Sequence, residues 1–302
     1  MTAVTYRPAT TADAAALARL RTRISETSGH GRPVTEADVL HEFTTVAPPE
    51  TVLLAIADDA PVGWAYSAVI APGGRRFLPG GVLPDFRGQG IGRHLVIWQL
   101  DVCGPEGDLV IGCRGTDEQT LRLLRRAGLT PNREFLWMTR DPALPTVPAS
   151  TDLTVRGYHP GDDHPLWVAH QEAFADHFGF LPSSFEDWAA QWPGGPRFRP
   201  DLSFAAWDGD DLVAFALSYR ATVSAGEDMP IVIEQVGTRV AWRGRGAAGA
   251  LLASIVDAAR EAGVGQLALN VDAANESGAV KLYERAGFAE SFRRVQFGRA
   301  SG

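Results

Sequence analysis

Two short stretches rich in glycine and arginine are the first residues of this sequence that suggest chemistry. Each follows a strand-like run and opens a segment with helical apolar periodicity. The first N–H groups of a helix have no partner within it, so a turn of small residues there can cradle a pyrophosphate. The two predicted phosphate-binding loops are Arg243-Gly244-Arg245-Gly246-Ala247-Ala248 and Arg87-Gly88-Gln89-Gly90-Ile91-Gly92.

An acidic residue stands in the apolar strand that precedes the second loop. The run from Ile231 to Val240 carries Glu234, and a period of two places Glu234, Val236 and Thr238 on one face. Burial favours the protonated form of a carboxyl, which makes Glu234 a candidate general base. The alternative is a carboxylate paired with Arg220 or Arg239.

Downstream of this loop the chain reads Asn275-Glu276-Ser277-Gly278-Ala279-Val280-Lys281-Leu282-Tyr283-Glu284-Arg285-Ala286-Gly287-Phe288. Together with the loop spacing Arg-x-x-Gly-x-Ala, this segment resembles the GNAT superfamily of N-acyltransferases. Its patterns are Gln/Arg-x-x-Gly-x-Gly/Ala and Asn-x-x-x-Ala-x-x-Leu-Tyr-x-x-x-Gly-Phe. The resemblance implies acetyl-CoA as the cofactor.

The resemblance also implies roles for individual residues. Both loops would hold the cofactor's pyrophosphate, Asn275 would face the cofactor, and Tyr283 would protonate the leaving thiolate. The strand before the loop would bulge and diverge from its neighbour, so that its backbone near Val236 and Thr238 meets the acyl carbonyl and the pantetheine arm. Val82 takes the corresponding place before the first loop. The alternative for Tyr283 is a core tyrosine whose hydroxyl is satisfied by a carbonyl.

The acceptor is predicted to meet a further pair of polar residues. In the GNAT family the first two helices form the acceptor wall, and here Asp176 and His177 lie between two predicted helices, the second at Ser183 to Gln191. These side chains would bind or deprotonate an amine. An exposed helix terminus flanked by core phenylalanines explains the same pattern.

The two loops belong to an internal repeat of about 150 residues. Each half reads strand, one or two helices, three strands, helix, strand, helix, strand, which predicts an α+β fold of two tandem GNAT-like domains. Each domain would hold a mixed, mostly antiparallel sheet flanked by helices. The proline-rich residues 142–150 predict an extended linker between an N-terminal domain at 1–141 and a C-terminal domain at 151–302.

The two halves differ in their polar residues. When Ala127-Gly128 is aligned with Ala286-Gly287, Leu124 stands in the place of Tyr283 and Thr116 in the place of Asn275. Leucine cannot donate a proton. The first half is therefore predicted to be non-catalytic, either binding acyl-CoA unproductively or serving as a scaffold, and the second half is predicted to carry the reaction.

Composition narrows the class of protein. The 302 residues carry a net charge of −8, which argues against nucleic acid or an anionic membrane as a partner. Two cysteines are too few for a disulfide framework, and no His/Cys cluster has metal-ligand spacing. Without a signal-like start or a long apolar run, the sequence predicts a cytoplasmic protein, monomeric or homodimeric.

The sequence thus predicts an N-acetyltransferase that moves acetyl from acetyl-CoA to a primary amine of a small molecule, such as an antibiotic or an amino sugar. The tandem layout resembles mycothiol synthases, and the same plan occurs among acetyltransferases that inactivate aminoglycoside or peptide antibiotics. The strand before the second loop departs from the mycothiol synthase pattern. A non-catalytic acyl-CoA sensor is a further alternative, against which Glu234 and Tyr283 both count.

Overall fold

The chain, seen in a computed structural model, folds into two compact units. The described residues are 3–27, 34–69, 75–105, 107–175, 180, 182–221, 230–275 and 278–299. Of these, residues up to 134 and residues 294–299 form the first unit, and the rest form the second unit.

The first unit is built on two small sheets. One has the antiparallel order β1-β2-β3-β6, and the other joins β4, β5 and β7, with β5 and β7 parallel. Its elements are β1 (Thr5–Pro8), α1 (Ala14–Thr27), α2 (Glu36–Thr45), β2 (Val52–Ala57), β3 (Ala60–Tyr66), β4 (Ala68–Val69), β5 (Arg76–Phe77), β6 (Gly80–Val82), α3 (Ile91–Cys103), β7 (Leu109–Arg114), α4 (Glu118–Arg126) and the first part of β8 (Leu129–Arg140).

The second unit repeats this order. Its strands β9 to β12 pair antiparallel in sequence order, and β13 then joins β12 in parallel. The elements are β9 (Thr154–Gly157), α5 (Asp163–Phe174), α6 (Phe185–Gln191), β10 (Phe204–Asp208), β11 (Asp211–Arg220), β12 (Ile231–Thr238), α7 (Ala247–Glu261), β13 (Leu267–Asp272), α8 (Ala279–Arg285) and the first part of β14 (Ala289–Arg299). The predicted α+β fold is confirmed in both halves. The predicted order of elements is present in the second half, whereas in the first half five strands, β2 to β6, stand where three were predicted.

Alternating side chains of β11 divide the core of the second unit between its two helical layers. Ala216 packs with buried Leu251 and Ile255 of α7, whereas Leu217 packs with Leu166 of α5 and with α6. This alternation follows from the period of two along a strand. The sheet therefore presents one face to α7 and the other to α5 and α6.

Each unit contains a strand segment that the predicted boundary would assign to the other half of the chain. Residues Phe135–Arg140 of β8 pair with β13 in the second unit, and Arg294–Phe297 of β14 pair with β7 in the first. The compact units therefore differ from a simple division of the chain at the proline-rich segment.

The proline-rich segment is packed against α7. Arg260 of α7 donates to the carbonyl oxygens of Pro142 and Leu144, both at 2.9 Å, and to Thr146 Oγ1 at 2.7 Å. The segment ends against the second loop, where the Ser150 carbonyl oxygen blocks the position that a Cβ atom on Gly246 would take. These residues are an anchored part of the second unit rather than a free spacer.

The repeat extends to matching ion pairs at the start of each half. Arg7 donates two hydrogen bonds to Asp13, at 2.9 and 2.7 Å, and Arg156 donates two to Asp162, at 2.7 and 2.8 Å. None of the described helices is both long and apolar enough to cross a lipid bilayer.

Candidate active site

A bulge in β12 lies at the centre of the site. Leu217 of β11 pairs with Gln235 and the next residue, Ser218, pairs with Ile233, so that Glu234 is the extra residue. The parallel pairing of β12 with β13 ends at Ile233 and Leu269. The bulge and the divergence predicted for this strand are therefore both present.

The bulge changes the face on which Glu234 lies. An extra residue lets two consecutive side chains take the same side of a strand. Glu234 and Gln235 both contact residues on the α5–α6 side, namely Arg197 and His170. Val236 packs instead in the cluster around α7. The prediction that Glu234, Val236 and Thr238 share one face is wrong, because it assumed an uninterrupted period of two.

The backbone of Val236 faces the opened edge of β12. The Arg239 N–H donates to Val213 on the β11 side at 2.9 Å, and the Ile231 N–H donates to Gln266 on the β13 side at 2.9 Å. Backbone groups alternate between the two edges of a strand, so after the bulge Val236 and Thr238 point to the side that β13 has left. A carbonyl or amide in this opening would find their peptide groups.

Both predicted phosphate loops have the same backbone conformation. Gly88 and Gly90 have φ of 76° and 86°, and Gly244 and Gly246 have φ of 81° and 78°. In each loop the helix begins immediately after the second of these glycines. These left-handed turns direct the first N–H groups of the helix into the loop, and no Cβ atom narrows the space, which suits a diphosphate.

The arginine side chains of the second loop have protein partners. Arg243 donates to the carbonyl oxygens of Thr238 and Ala173, both at 3.3 Å, and Arg245 pairs with Asp152 and Asp208. In the first loop Arg87 similarly donates to Val82 at 3.2 Å. These side chains fix the loop to its unit, which leaves the backbone N–H groups as the donors for phosphate.

Tyr283 lies on α8 with its ring packed against the α7 cluster. Its side chain is 8% exposed and meets Phe288 edge-on, and burial raises the pKa of Tyr283 to about 12. Its hydroxyl has no hydrogen-bond partner among the described residues. The carbonyl partner expected for a purely structural tyrosine is therefore not seen there. Asn275 follows β13 and donates its backbone N–H to Asp272 at 3.0 Å.

Comparison with known proteins identifies this arrangement. The family described as "Acetyltransferase (GNAT) family" matches residues 17–129 and 165–288, once in each half. The chain belongs to the GNAT family. It is therefore an acetyl-CoA-dependent N-acetyltransferase with a tandem GNAT fold.

Several relatives of this GNAT protein cover almost its whole length. A mycothiol acetyltransferase of Sanguibacter keddieii is 29% identical over 97% of this chain and 95% of its own. The crystal structure of a GCN5-related N-acetyltransferase from Sphaerobacter thermophilus has a TM-score of 0.80 at 28% identity and covers 98% of this chain and 95% of its own. A tandem GNAT protein from the clavulanic acid biosynthesis pathway has a TM-score of 0.73 at 14% identity and covers 98% of both chains.

The first GNAT unit has the loop but differs at the positions that correspond to the candidate residues Glu234 and Tyr283. Leu78 lies nine residues before Arg87, as Glu234 lies nine residues before Arg243, and it is fully buried. Pro79 follows it and lacks an N–H group. Leu124, which takes the place of Tyr283, is also buried in the apolar cluster of the first unit. Apolar side chains thus occupy both positions where the second unit carries an acid and a phenol.

Sequence reasoning missed the partners of Glu234 and Gln235. Glu234 is paired with an arginine, as the alternative interpretation of this residue held, but the partner is Arg197 at 2.7 Å rather than one of the two arginines named, and Arg239 pairs with Glu172. His170, 6% exposed on α5, lies 3.2 Å from Gln235 Oε1 through its Nε2. Arg197 and His170 both come from segments distant in sequence. The one signal in the sequence was that His170 is a polar residue among apolar helix positions.

The predicted acceptor residues Asp176 and His177 lie outside the described residues. Of the predicted acceptor wall, the structure describes α5 up to Phe174 and α6 with its N-cap Ser184, whose hydroxyl accepts from the Asp187 N–H at 3.1 Å. The helix predicted at Ser183 to Gln191 is confirmed within two residues.

Proposed function

We propose that the second unit transfers acetyl from acetyl-CoA to the primary amine of a small molecule, with Glu234 as the general base and Tyr283 as the general acid. The observation that carries this proposal is the bulge. It turns the Glu234 carboxylate toward the α5–α6 side at the point where β12 separates from β13. This geometry supports the proposal, because a base at Glu234 would lie beside an open row of peptide groups.

Acetyl-CoA supplies the thioester carbon that the acceptor nitrogen attacks. Glu234 takes a proton from the acceptor ammonium, directly or through water, and leaves a neutral amine. The Val236 peptide stabilises the negative charge that develops on the carbonyl oxygen. As the new C–N bond forms and the C–S bond breaks, Tyr283 gives its proton to the sulfur, and CoA leaves as a thiol. The acetylated nitrogen then loses its extra proton to solvent, and solvent returns a proton to Tyr283.

Binding of the cofactor rests on backbone groups in this proposal. The N–H groups of residues 244–248 would meet the diphosphate, with Asn275 and the Thr238 peptide beside the pantetheine arm. Because Arg243 and Arg245 have protein partners, they would act mainly by holding the loop in its conformation. The first unit, with the loop residues 87–92 and Val82, would bind acyl-CoA unproductively or serve as a scaffold.

Release of the CoA thiol tests the proposal. The full chain is incubated with acetyl-CoA and a panel of primary amines that includes amino acids, aminoglycosides and a cysteinyl amino sugar, and products are identified by mass. We expect acetylated product with at least one small amine. If none of the panel amines is acetylated while acetyl-CoA binds the second unit, this function is wrong.

A second acceptor is favoured by the relatives. Proteins similar along nearly the full chain are named mycothiol acetyltransferases, so a cysteinyl amino sugar is the specific alternative to other amines. Its acetylation in preference to every other panel member would support this assignment.

A further inference from the structure

We infer that Arg197 selects an acceptor that carries a carboxylate next to its amine, as an α-amino acid does. This inference rests on the proposed function, because it places the acceptor ammonium at Glu234. It goes further in assigning the acceptor a negative charge and in naming the side chain that reads it.

The argument begins with the incomplete pairing of Arg197. Its Nη1 donates both to Glu234 Oε1 at 2.7 Å and to the Arg220 carbonyl oxygen at 2.9 Å. Other arginines of this unit use two nitrogens against both oxygens of a carboxylate: Arg199 on Asp201, Arg239 on Glu172 and Arg156 on Asp162. Arg197 instead meets Glu234 through a single nitrogen and a single oxygen.

This contact leaves complementary groups unused on both partners. In the part of the chain that the structure describes, the Nε–Nη2 edge of Arg197 and the Oε2 atom of Glu234 have no hydrogen-bond partner. The Nε–Nη2 edge is a planar fork that matches the two oxygens of a carboxylate. Oε2 can accept from an ammonium. The pair therefore offers a positive and a negative site within the span of one small zwitterion.

The pair is also accessible and held in place. The side chains of Arg197 and Glu234 are 36% and 24% exposed, so a ligand can reach them. The Arg197 guanidinium lies 5.8 Å from the centroid of the Tyr219 ring, and the Tyr219 side chain is buried. A guanidinium with a fixed backbone contact and an aromatic ring beneath it loses little freedom when it binds a carboxylate.

Electrostatics favours a zwitterion over a simple amine. An ammonium that approaches Glu234 also approaches the Arg197 cation, and like charges repel. A carboxylate on the acceptor that pairs with the Nε–Nη2 edge neutralises Arg197 and so weakens the attraction of Arg197 for Glu234. The Glu234 carboxylate then takes the proton from the ammonium, and the acetyl transfer proceeds as proposed above.

Matched acceptors test this inference in the full chain. Each set contains an α-amino acid, its amide and the amine without the carboxyl group, with apolar, aromatic and polar side chains represented. In the best set we expect kcat/KM for the acid to exceed that for the amide by roughly 10-fold or more. The comparison is stringent, because an amino acid amide keeps more of its amine unprotonated at neutral pH.

Two variants assign the preference to Arg197. Arg197→Gln should make the acid and the amide equivalent, mainly by raising KM for the acid, while acetyl-CoA affinity by calorimetry stays unchanged. Arg197→Lys should keep part of the preference, since it retains the charge and loses the fork. Arg199→Gln is the matched control and should keep the wild-type preference.

The outcomes are distinguishable from failure of the proposed function. Equal rates for acid and amide in the wild type, or a preference that survives Arg197→Gln, would overturn the role of Arg197 while acetyl transfer stands. No acetylation of any amine by a chain that binds acetyl-CoA would overturn both proposals.

Discussion

The proton needed by the departing thiolate defines the role proposed for Tyr283. Its ring is buried, so the phenol stays protonated at neutral pH, and its hydroxyl has no partner among the described residues. The apolar surroundings that raise the pKa of Tyr283 also disfavour a thiolate beside it. The apolar site therefore makes both the phenol and the thiol harder to ionise, so proton transfer from Tyr283 to the sulfur stays feasible.

Tyr283→Phe should therefore slow turnover and spare binding. The change removes one hydroxyl and keeps the ring that packs on Phe288. We expect kcat to fall by roughly 10²-fold or more, with acetyl-CoA affinity within a few-fold of the wild type. Tyr66→Phe, which alters a buried tyrosine of the first unit, should leave kcat unchanged. Wild-type turnover of Tyr283→Phe at all pH values would place the proton donor elsewhere.

Replacement of Glu234, the proposed general base, should change the pH dependence of the reaction. Glu234→Gln keeps the shape of the side chain and a hydrogen-bond acceptor for Arg197, but it cannot take a proton. We expect kcat/KM to fall on the order of 10²-fold at neutral pH and below. The loss should shrink as the pH rises, because the acceptor amine then loses its proton to solvent. A pH–rate profile parallel to that of the wild type would contradict the assignment.

At the residue scale the sequence identified Glu234 and Tyr283 but not their surroundings. Glu234 stands out because a carboxyl interrupts an apolar run, whereas Tyr283 was selected because residues 275–288 resemble the GNAT pattern. The face of Glu234 depends on a bulge, and no local residue pattern around Ile233 to Gln235 marks it. Its partner Arg197 lies in a loop 37 residues earlier, and such a contact is set by the packing of α6 against the sheet rather than by spacing.

At the scale of elements, the two phosphate loops allow a matched experiment. Gly244 and Gly88 occupy equivalent positions at φ of 81° and 76°, and a Cβ atom on either would meet nothing within 4 Å. Gly246 is a poorer choice, because its Cβ would strike the Ser150 carbonyl oxygen and damage the fold. Substitution at Gly244 or Gly88 therefore tests backbone conformation rather than packing.

Gly244→Val should weaken binding of acetyl-CoA at the second unit and reduce turnover. A β-branched residue in the left-handed region costs about 1–3 kcal/mol, and the loop relieves this strain by leaving the conformation that points its N–H groups inward. Gly88→Val carries the same strain in the first unit, and we expect it to leave turnover largely intact. Calorimetry and thiol release check both variants. Loss of all activity in a folded Gly88→Val protein would show that the first unit takes part in the reaction.

The repeated ion pair at the start of each half predicts a pH-dependent stability. Hydrogen bonds from Arg7, with a smaller contribution from Thr10, outweigh burial and hold the pKa of Asp13 well below its usual range. A lowered folded-state pKa stabilises the fold above the unfolded-state pKa and loses this effect as the pH falls.

Asp13→Asn should accordingly lower the free energy of unfolding by about 1–3 kcal/mol at pH 7. The difference from the wild type should shrink as the pH falls below about 4, where the unfolded carboxyl becomes protonated. Urea denaturation across this range measures it. Because Arg7→Gln breaks the same pair, the double variant should lose little more than either single variant, and full additivity would contradict the coupling.

Elements were predictable where the pattern is local. Each loop opens a helix as predicted, because the glycines at 90 and 246 allow the turn and apolar periodicity follows them. The strand-like residues Phe77 to Leu83 before the first loop suggest one strand, but in the structure β5 ends at Phe77 and β6 covers Gly80–Val82. Pro79 interrupts it, and buried Gln99 donates to the carbonyl oxygens of Pro79 and Tyr66, both at 2.7 Å. The alternation of apolar and polar residues along a strand does not predict such a contact with a distant helix.

At the scale of the whole molecule, the tandem order was predictable and the exchange of strand ends was not. Length, the two loops and the repeated helix ends at Gly128 and Gly287 indicate two domains. Strand pairing between residues far apart in sequence leaves no local signature. The composition of the proline-rich segment predicted a spacer, whereas Arg260 anchors the segment by donating to its backbone carbonyl oxygens. Every residue has a carbonyl group, so the sequence of the segment does not reveal such a contact.

Two phenylalanines of the last part of the chain provide a test of this division. Phe288 is 3% exposed and packs around α7 in the second unit, whereas Phe297 is fully buried with Leu109 and Ile111 in the first. They lie nine residues apart, and a division at the proline-rich segment would assign both to the same domain. The observed pairing of Arg294–Phe297 with β7 assigns them to different units.

Replacing either phenylalanine with alanine should therefore destabilise a different unit. Phe297→Ala should cost about 3–5 kcal/mol of stability and speed amide hydrogen exchange in β7, because it empties a packed site in the first unit. Phe288→Ala should cost a similar amount but speed exchange in β13 and α8. Native-state hydrogen exchange read by mass spectrometry resolves these segments. If Phe297→Ala loosens β13 and leaves β7 protected, the end of β14 belongs energetically to the second unit, and the exchange of strand ends is refuted.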